Sequence, residues 1–92
     1  MSESMFFIDE LNANRRLTGL RIASKYVASS QQCMEKCLKM IIPKCRSINF
    51  AKKKNKDGHL CEFNAAINPN DVTMFVDDTT FAHYQLLSYE AD

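Results

Sequence analysis

The chain has 92 residues, enough for one small domain with a single hydrophobic core and too few for two domains. Its 46% hydrophobic and 25% charged residues are a globular balance, which excludes an intrinsically disordered or low-complexity chain. A net charge of +1 provides no global field for nucleic acid or an anionic membrane, so any electrostatic site must be local. No apolar run approaches the roughly 20 residues that span a bilayer, and we expect neither nucleic-acid binding nor membrane insertion.

Hydrophobic periodicity predicts two strands and one helix in the first half of the chain, at residues 5–8, 20–27 and 31–42. The first apolar run is too short for the core of a signal peptide. Ser29 or Ser30 is suited to cap the helix, and Pro43 is expected to end it.

The second half is predicted to consist of strands and turns. A strand at 45–51, a loop at 52–58 and a strand at 59–64 form a hairpin, a turn follows at 68–71, and the last strand is at 81–87. Asp57 and Gly58 favour a tight turn within the hairpin loop.

Four cysteines, Cys33, Cys37, Cys45 and Cys61, are the most informative residues in a chain of this size. An even count predicts two disulfides in an oxidising compartment, and thiols or metal ligands in a reducing one. No pair has the two-residue spacing typical of structural zinc, although His59 near Cys61 completes a ligand set on paper. We therefore expect disulfides, with no metal and no other cofactor.

The predicted helix restricts how the cysteines pair. Cys33 and Cys37 lie four residues apart on it, with about 5 to 6 Å between their Cβ atoms, whereas a disulfide needs about 3.5 to 4.5 Å. Excluding that bond leaves two connectivities. Cys37 is nearer the chain reversal that leads to Cys45, which favours Cys37 with Cys45 and Cys33 with Cys61. In the chain-entropy model the longer bridge contributes roughly 3 to 4 kcal/mol.

Three stretches around the cysteines resemble the PAN/apple domain, the module of plasminogen-type growth factors, contact-system protease zymogens and many invertebrate surface proteins. They are Cys33-x-x-x-Cys37-Leu38, Cys45-x-Ser47-x-Asn49-Phe50 and Cys61-Glu62-Phe63-Asn64. The resemblance covers roughly residues 19–84. It implies an α+β fold in which one α-helix packs on a curved antiparallel β-sheet and two disulfides link the helix to the central hairpin, which agrees with the favoured pairing.

We expect a single domain at residues 5–89 with flexible ends at 1–4 and 90–92. The resemblance implies an extracellular location, either secreted or on a cell-surface ectodomain. Apple domains proper have a further cysteine pair that joins their terminal strands, and this sequence lacks it. Residues 5–8 are therefore expected to be held by packing against residues 81–87.

The predicted hairpin loop is the most prominent charged feature. Lys52, Lys53, Lys54 and Lys56 crowd it, and Arg46 lies on the adjoining strand. These residues are candidates for binding an anionic ligand, and sulfated glycan is one that the resemblance allows. The alternative is a solvated hairpin tip that blocks aggregation at a sheet edge.

The hairpin strand at 45–51 raises a packing question. Ser47 and Asn49 share the parity of Cys45, which predicts that they face the helix, while Ile48 and Phe50 face away. Either both faces of the sheet are covered, or the two polar side chains satisfy backbone groups inside the domain.

The aromatic residues toward the C-terminus are predicted to divide between core and surface. Phe81 and Tyr84 are expected to pack in the core. Phe75, predicted to lie in a loop, is the candidate for an exposed ligand contact.

Catalytic and calcium sites have little support in the sequence. His59 and His83 are the only imidazoles, and neither has a serine, cysteine or carboxylate in a recognisable nucleophile arrangement. Asp77 and Asp78, with residues 70–71 upstream, do not have the spacing of a calcium loop and are predicted to form turns.

Two functions from different classes remain. The preferred one is a non-enzymatic extracellular recognition module that presents its disulfide-linked sheet to a protein or glycan ligand. A rigid surface suits this role because it loses less conformational entropy on binding. The alternative is a structural or self-assembly domain of a larger extracellular matrix or surface protein, in which a sheet edge or aromatic patch joins copies into a homo-oligomer.

Overall fold

Residues 2–8, 14–65 and 75–91 are described by the computed structural model, with side chains at 14–65 and 75–85. They form one helix, α1 (Ser30–Leu38), and the strands β1 (Ser2–Ile8), β2 (Arg15–Leu17), β3 (Arg21–Val27), β4 (Ser47–Ala51), β5 (His59–Asn64), β6 (Phe75–Asp77) and β7 (Phe81–Ala91). Two disulfides join the helix to the strand region. The predicted α+β class is confirmed.

The strands form a main sheet and a small one. The main sheet has the order β1-β7-β4-β5-β3, and β2 pairs with β6 in the small sheet, with all pairs antiparallel. Strand β1 pairs with β7 from Ser2 opposite Ala91 to Ile8 opposite Gln85, so a backbone ladder holds the terminal strands together. Residues 2–4 and 90–91 lie within this ladder, where the sequence predicted flexible ends. The predicted turn at 68–71 lies outside the described residues.

Helix α1 begins at a capped end. Ser29 is the N-cap, and its hydroxyl oxygen accepts a hydrogen bond from the Gln32 backbone N–H at 3.2 Å. The Gln32 side-chain oxygen accepts one from the Ala28 N–H at 2.7 Å. The first bond satisfies a backbone donor that the first helical turn leaves without a helical partner, and the second ties the residue before the N-cap to the helix.

The helix ends at Leu38, so the prediction that it continues to residue 42 is wrong. Ile42 precedes a proline, and the proline ring disfavours helical backbone at the preceding residue. Residues 41–44 form a tight turn instead, closed by a bridge between Ile41 and Lys44. This reversal brings Cys45 back toward the helix.

The helix packs on one face of the main sheet through a core that contains both disulfides. Cys33 bonds Cys61 on β5 with the Cα atoms 5.8 Å apart, and Cys37 bonds Cys45 with the Cα atoms 5.2 Å apart. The buried members of this core are Val27, Cys33, Cys37, Cys45, Ile48, Phe50, Cys61 and Phe63. The side chains of the central strands therefore contact the helix directly.

Ile48 and Phe50 face the helix, and the prediction that Ser47 and Asn49 do so is wrong. Strand β4 begins at Ser47, so Cys45 precedes it and does not share its alternation. Strand β2 contacts β4 and β7, so the small sheet covers the other face. Both faces of the central strands are buried, and Asn49 also hydrogen-bonds the Leu17 backbone, so features of both solutions to the packing question are present.

Candidate functional site

A layer of buried polar side chains lies between the two sheets, with Asn49 at its centre. Its Oδ1 atom accepts hydrogen bonds from the Leu17 backbone N–H at 2.9 Å and from His83 Nδ1 at 2.8 Å. Its Nδ2 group donates to the Leu17 carbonyl at 2.8 Å and to Glu62 at 3.0 Å. Asn49 therefore uses its full hydrogen-bonding capacity to hold β2 against the main sheet.

Glu62 is the buried charge of this layer, with 2% of its side chain exposed. Arg16 binds it through two hydrogen bonds of 2.9 and 2.5 Å, and Arg21 adds one of 3.0 Å. Burial raises the pKa of the Glu62 carboxyl, but the hydrogen bonds from its partners outweigh that effect and hold the pKa below its ordinary value. The Glu62 hydrogen bond in turn raises the pKa of Arg16.

A cavity of about 420 Å³ opens beside this ion pair, lined by Arg16, Leu17, Thr18, Gly19, Arg21 and Glu62. Each carboxylate oxygen of Glu62 already accepts two hydrogen bonds. The carboxylate therefore has little acceptor capacity left for a ligand. We assign it a structural role, which is to fasten the small sheet to the main sheet.

The β4–β5 loop, at residues 52–58, contains four of the candidate ligand-binding residues that the sequence suggested. Two backbone hydrogen bonds, of 2.9 and 3.1 Å, close its tip between Asn55 and Gly58, and Asn55 Oδ1 accepts another from the Asp57 N–H at 2.8 Å. Gly58 has φ 116°, and a Cβ atom there would lie 2.7 Å from the Val27 carbonyl oxygen. Glycine is thus required for this close approach to the end of β3.

The base of the loop is held by contacts from both sides. His59 Nδ1 donates to the Ala51 carbonyl at 2.8 Å, and its ring stacks on Phe50 with the centroids 4.7 Å apart. The Lys52 backbone N–H donates to the Thr80 carbonyl at 3.0 Å. His59 therefore anchors the hairpin and takes a structural part.

Lys52, Lys53, Lys54 and Lys56 are all exposed. Within the described ranges none of them forms an ion pair, although the Lys52 ammonium group donates to a side-chain oxygen of Asn14. Four lysines and one aspartate give the loop a formal charge of +3, against +1 for the whole chain. The loop is therefore a local concentration of positive charge on a fixed backbone.

Arg46 does not lie with these lysines. It precedes β4 and Lys52 follows β4, so the strand separates them by about 20 Å. The Arg46 backbone N–H donates to the Asn64 carbonyl at 2.8 Å, and its side chain is exposed. Arg46 thus belongs to the other end of the hairpin.

Phe75 also differs from its predicted environment. It lies in β6 opposite Leu17, half-buried, and not in a loop. Its ring packs edge-on against His83 with the centroids 4.9 Å apart, and the Arg15 guanidinium lies 5.0 Å from its centroid. Pairing within the small sheet therefore draws Phe75 into the domain.

The acidic residues near β7 form a turn and a surface ion pair. Asp78 accepts hydrogen bonds from the Thr80 N–H at 2.9 Å and the Thr80 hydroxyl at 2.5 Å, and these bonds hold its pKa below the ordinary value. Asp77 pairs with Arg15 at 3.3 Å on the surface. Among the residues that the structure describes, no three His, Cys, Asp or Glu side chains gather as metal ligands.

Sequence reasoning missed the small sheet and the buried ion pair. Strands β2 and β6 have three residues each, too few for alternation to be recognised. One signal was available at Glu62, because a glutamate flanked by Cys61 and Phe63 in a strand buried on both faces needs a cationic partner.

The fold defines the class of the protein: a small α+β domain in which two disulfides fasten a helix to an antiparallel sheet. A family model for the PAN domain matches residues 10–89, which include the helix, the hairpin and both disulfides. The chain therefore belongs to the PAN domain family, whose members are extracellular modules for protein or carbohydrate interaction and are generally non-catalytic.

No curated protein and no solved structure gave a significant match to the chain. In the part of the chain that the structure describes, no helix has both the length and the apolar character needed to cross a bilayer. Family membership therefore indicates the general class of activity but does not identify the ligand, which depends on the surface of this chain.

Proposed function

We propose that this PAN domain is a non-enzymatic extracellular recognition module that binds sulfated glycan through the lysine loop, defined as Lys52, Lys53, Lys54 and Lys56. The observation that carries the proposal is the formal charge of +3 on the loop of a chain whose net charge is +1. Clustered ammonium groups attract anions over about one Debye length, roughly 8 Å at physiological salt. Sulfate groups repeated along a polysaccharide fit such a cluster.

The rigidity of the loop supports the proposal. The Asn55–Gly58 hydrogen bonds and the His59 contacts fix the backbone that displays the lysines. A ligand therefore does not have to order the loop, and the entropic cost of binding falls mainly on the lysine side chains. Lysine ammonium groups act as mobile point charges, which suits a flexible chain of sulfates better than a single bidentate contact.

The position of the loop argues against the edge-blocking alternative. Strands β4 and β5 lie inside the sheet order, and the edge strands are β1 and β3. Lysines between two interior strands do not shield a sheet edge from another chain. Their concentration at this tip is better explained by an anionic ligand.

Heparin-affinity chromatography with a salt gradient tests the proposal against a charge-matched control. The loop variant carries Lys53→Gln, Lys54→Gln and Lys56→Gln, and the control variant carries Lys25→Gln, Lys36→Gln and Lys39→Gln. Both variants lose three positive charges, so a difference between them reflects position and not net charge. Lys52 is left in place because its contact with Asn14 helps to fix the loop.

We expect the native protein to be retained, the loop variant to elute at clearly lower salt, and the control variant to elute close to the native protein. Heparin from which the sulfates have been removed should not retain any of the three. Equal shifts for both variants would show that the glycan does not select the lysine loop, and no retention of the native protein would refute glycan binding. Light scattering on the same samples would show whether copies associate instead.

A further inference from the structure

An exposed apolar turn follows helix α1. Ile41 and Ile42 are 76% and 92% exposed at the tip of the turn that Lys44 closes, and Leu38 is 41% exposed at the helix end. Single exposed hydrophobic residues are ordinary, but two adjacent isoleucines on a protruding turn form an apolar patch that water solvates poorly. We name Ile41 and Ile42 the isoleucine tip.

A groove between α1 and β3 continues from this tip. It has a volume of about 250 Å³ and is lined by Lys25, Lys36, Lys39, Met40 and Phe63. Met40 and Phe63 contribute the apolar part of its lining, and Met40 is followed directly by Ile41, so the groove adjoins the tip along the chain. We name these five residues the lysine groove.

The positive charge of the groove is not balanced by neighbouring acids. Lys25, Lys36 and Lys39 form no ion pair with any residue that the structure describes. Glu35 lies on the same helix one turn before Lys39, and the two side chains are not within ion-pair distance. Lys44, at the base of the tip, adds a further exposed cation.

The combination of exposed isoleucines and lysines distinguishes a membrane from a protein as the partner. Protein interfaces are centred on buried aromatic anchors and are depleted in lysine. Surfaces that bind a bilayer from one side combine protruding apolar side chains, which enter the acyl boundary, with lysines that meet anionic headgroups. Exposed apolar residues at a tight turn, beside lysines that form no ion pair with the described residues, match the second pattern.

We propose that the isoleucine tip and the lysine groove form a docking surface for the outer face of a membrane on which anionic lipid is exposed. Ile41 and Ile42 enter the boundary between headgroups and acyl chains, and the lysines of the groove bind the anionic headgroups. The domain lies on the membrane without crossing it, so this binding is distinct from the membrane insertion that the sequence excludes. The surface is also separate from the lysine loop, so it does not depend on the proposed glycan site.

Co-sedimentation with vesicles tests the docking surface. The vesicles are pure phosphatidylcholine, or phosphatidylcholine with about a third phosphatidylserine. Three variants are compared with the native protein: the tip variant Ile41→Ser with Ile42→Ser, the groove variant with Lys25, Lys36 and Lys39 changed to Gln, and the loop variant with Lys53, Lys54 and Lys56 changed to Gln. The tip residues are exposed, so we expect the tip variant to keep the unfolding temperature of the native protein.

We expect the native protein to bind the anionic vesicles and not the neutral ones. Each lysine near an anionic surface contributes about fivefold to the partition coefficient, so the groove variant should lose about 100-fold. The tip variant should lose at least about tenfold, since it removes the apolar contact. The loop variant carries the same net charge as the groove variant and should remain within a few-fold of the native protein.

A second measurement reports directly whether the tip reaches the boundary between headgroups and acyl chains. The chain has no tryptophan, so Ile42→Trp introduces a single fluorescent probe at the tip. Its emission should shift to shorter wavelength when anionic vesicles are added, and soluble glycerophosphoserine should produce no such shift.

Several outcomes would overturn the proposal. They are absence of vesicle binding by the native protein, equal losses in the groove and loop variants, an unchanged affinity in the tip variant, and an unshifted Ile42→Trp spectrum. Light scattering that shows self-association abolished by the tip variant, without vesicle binding, would assign the surface to a second copy of the chain. Absence of heparin retention by the native protein, with its vesicle binding intact, would refute the glycan proposal alone.

Discussion

Replacing Glu62 with glutamine tests whether the buried ion pair holds the small sheet on the main sheet. Glu62→Gln keeps the size of the side chain and removes its charge. The carboxylate accepts hydrogen bonds of 2.9 and 2.5 Å from Arg16, 3.0 Å from Arg21 and 3.0 Å from Asn49. In the variant one oxygen becomes an amide group that donates, so about half of these contacts are lost and a guanidinium faces another donor.

The expected destabilisation follows from these contacts and from the exposure of the partners. A hydrogen bond to a charged group is worth about 1.5 to 3 kcal/mol, and breaking a buried ion pair costs about 3 to 5 kcal/mol. The Arg16 and Arg21 side chains are 30% and 56% exposed, so water replaces part of the hydrogen bonding that they lose in the variant. We expect Glu62→Gln to lower the free energy of unfolding by about 2 to 4 kcal/mol, which corresponds to about 10 to 30 °C in Tm for a domain of this size.

Urea unfolding followed by circular dichroism, with the disulfides intact, measures this change. The control is Asp77→Asn, which removes the surface ion pair with Arg15, where the Asp77 side chain is 91% exposed. We expect it to change the free energy of unfolding by less than about 0.5 kcal/mol. If Glu62→Gln were no more destabilising than this control, the ion pair would not fasten the small sheet.

Two further predictions concern the same protein in solution. The pKa of Glu62 is lowered in the folded state, so its carboxylate contributes stability that is present above its unfolded pKa of about 4.5 and is lost as the pH falls through the folded pKa. Urea unfolding from about pH 6 down to about pH 2 should therefore show an acid-dependent loss that is smaller in Glu62→Gln, and equal losses would contradict this assignment. Gly58→Ala should lower the free energy of unfolding by about 1 to 3 kcal/mol, because φ is 116° and the new Cβ would lie 2.7 Å from the Val27 carbonyl oxygen. An unchanged midpoint in the same urea titration would show that the loop relaxes freely.

The parts of the fold that were predictable from the sequence depend on local patterns. The returning strand of the hairpin has its predicted bounds, His59–Asn64, because the asparagine, aspartate and glycine before it mark a tight turn. Helical spacing around Cys33 and Cys37 placed both on one face of a helix, and both are buried against the sheet. The lysine loop was visible because its charges are consecutive in the chain.

The parts that were not predictable depend on contacts between distant segments. The faces of Ser47 and Asn49 were assigned wrongly because the first residue of a strand, and not a preceding cysteine, sets its alternation. The pairing of Phe75 with Leu17 has no local signal, since each lies in a three-residue strand.

The lysine groove was not predictable from the sequence either, because it too is formed by distant segments. Lys25 lies on β3, whereas Lys36 and Lys39 lie at the end of α1, and only the packing of helix on sheet brings them together. The end of the helix was also misplaced, because periodicity continues through Met40 while the backbone does not. Candidate surfaces built from several elements therefore required the fold.

Disulfide mapping tests the central feature of the domain, a helix fastened to the sheet by Cys33–Cys61 and Cys37–Cys45. Trypsin cleaves after lysine and arginine and places each cysteine on a different peptide, residues 26–36, 37–39, 45–46 and 57–92. Mass spectrometry without reduction should find 26–36 joined to 57–92, and 37–39 joined to 45–46. Peptide 26–36 joined to 45–46, or four free thiols, would contradict the fold described above.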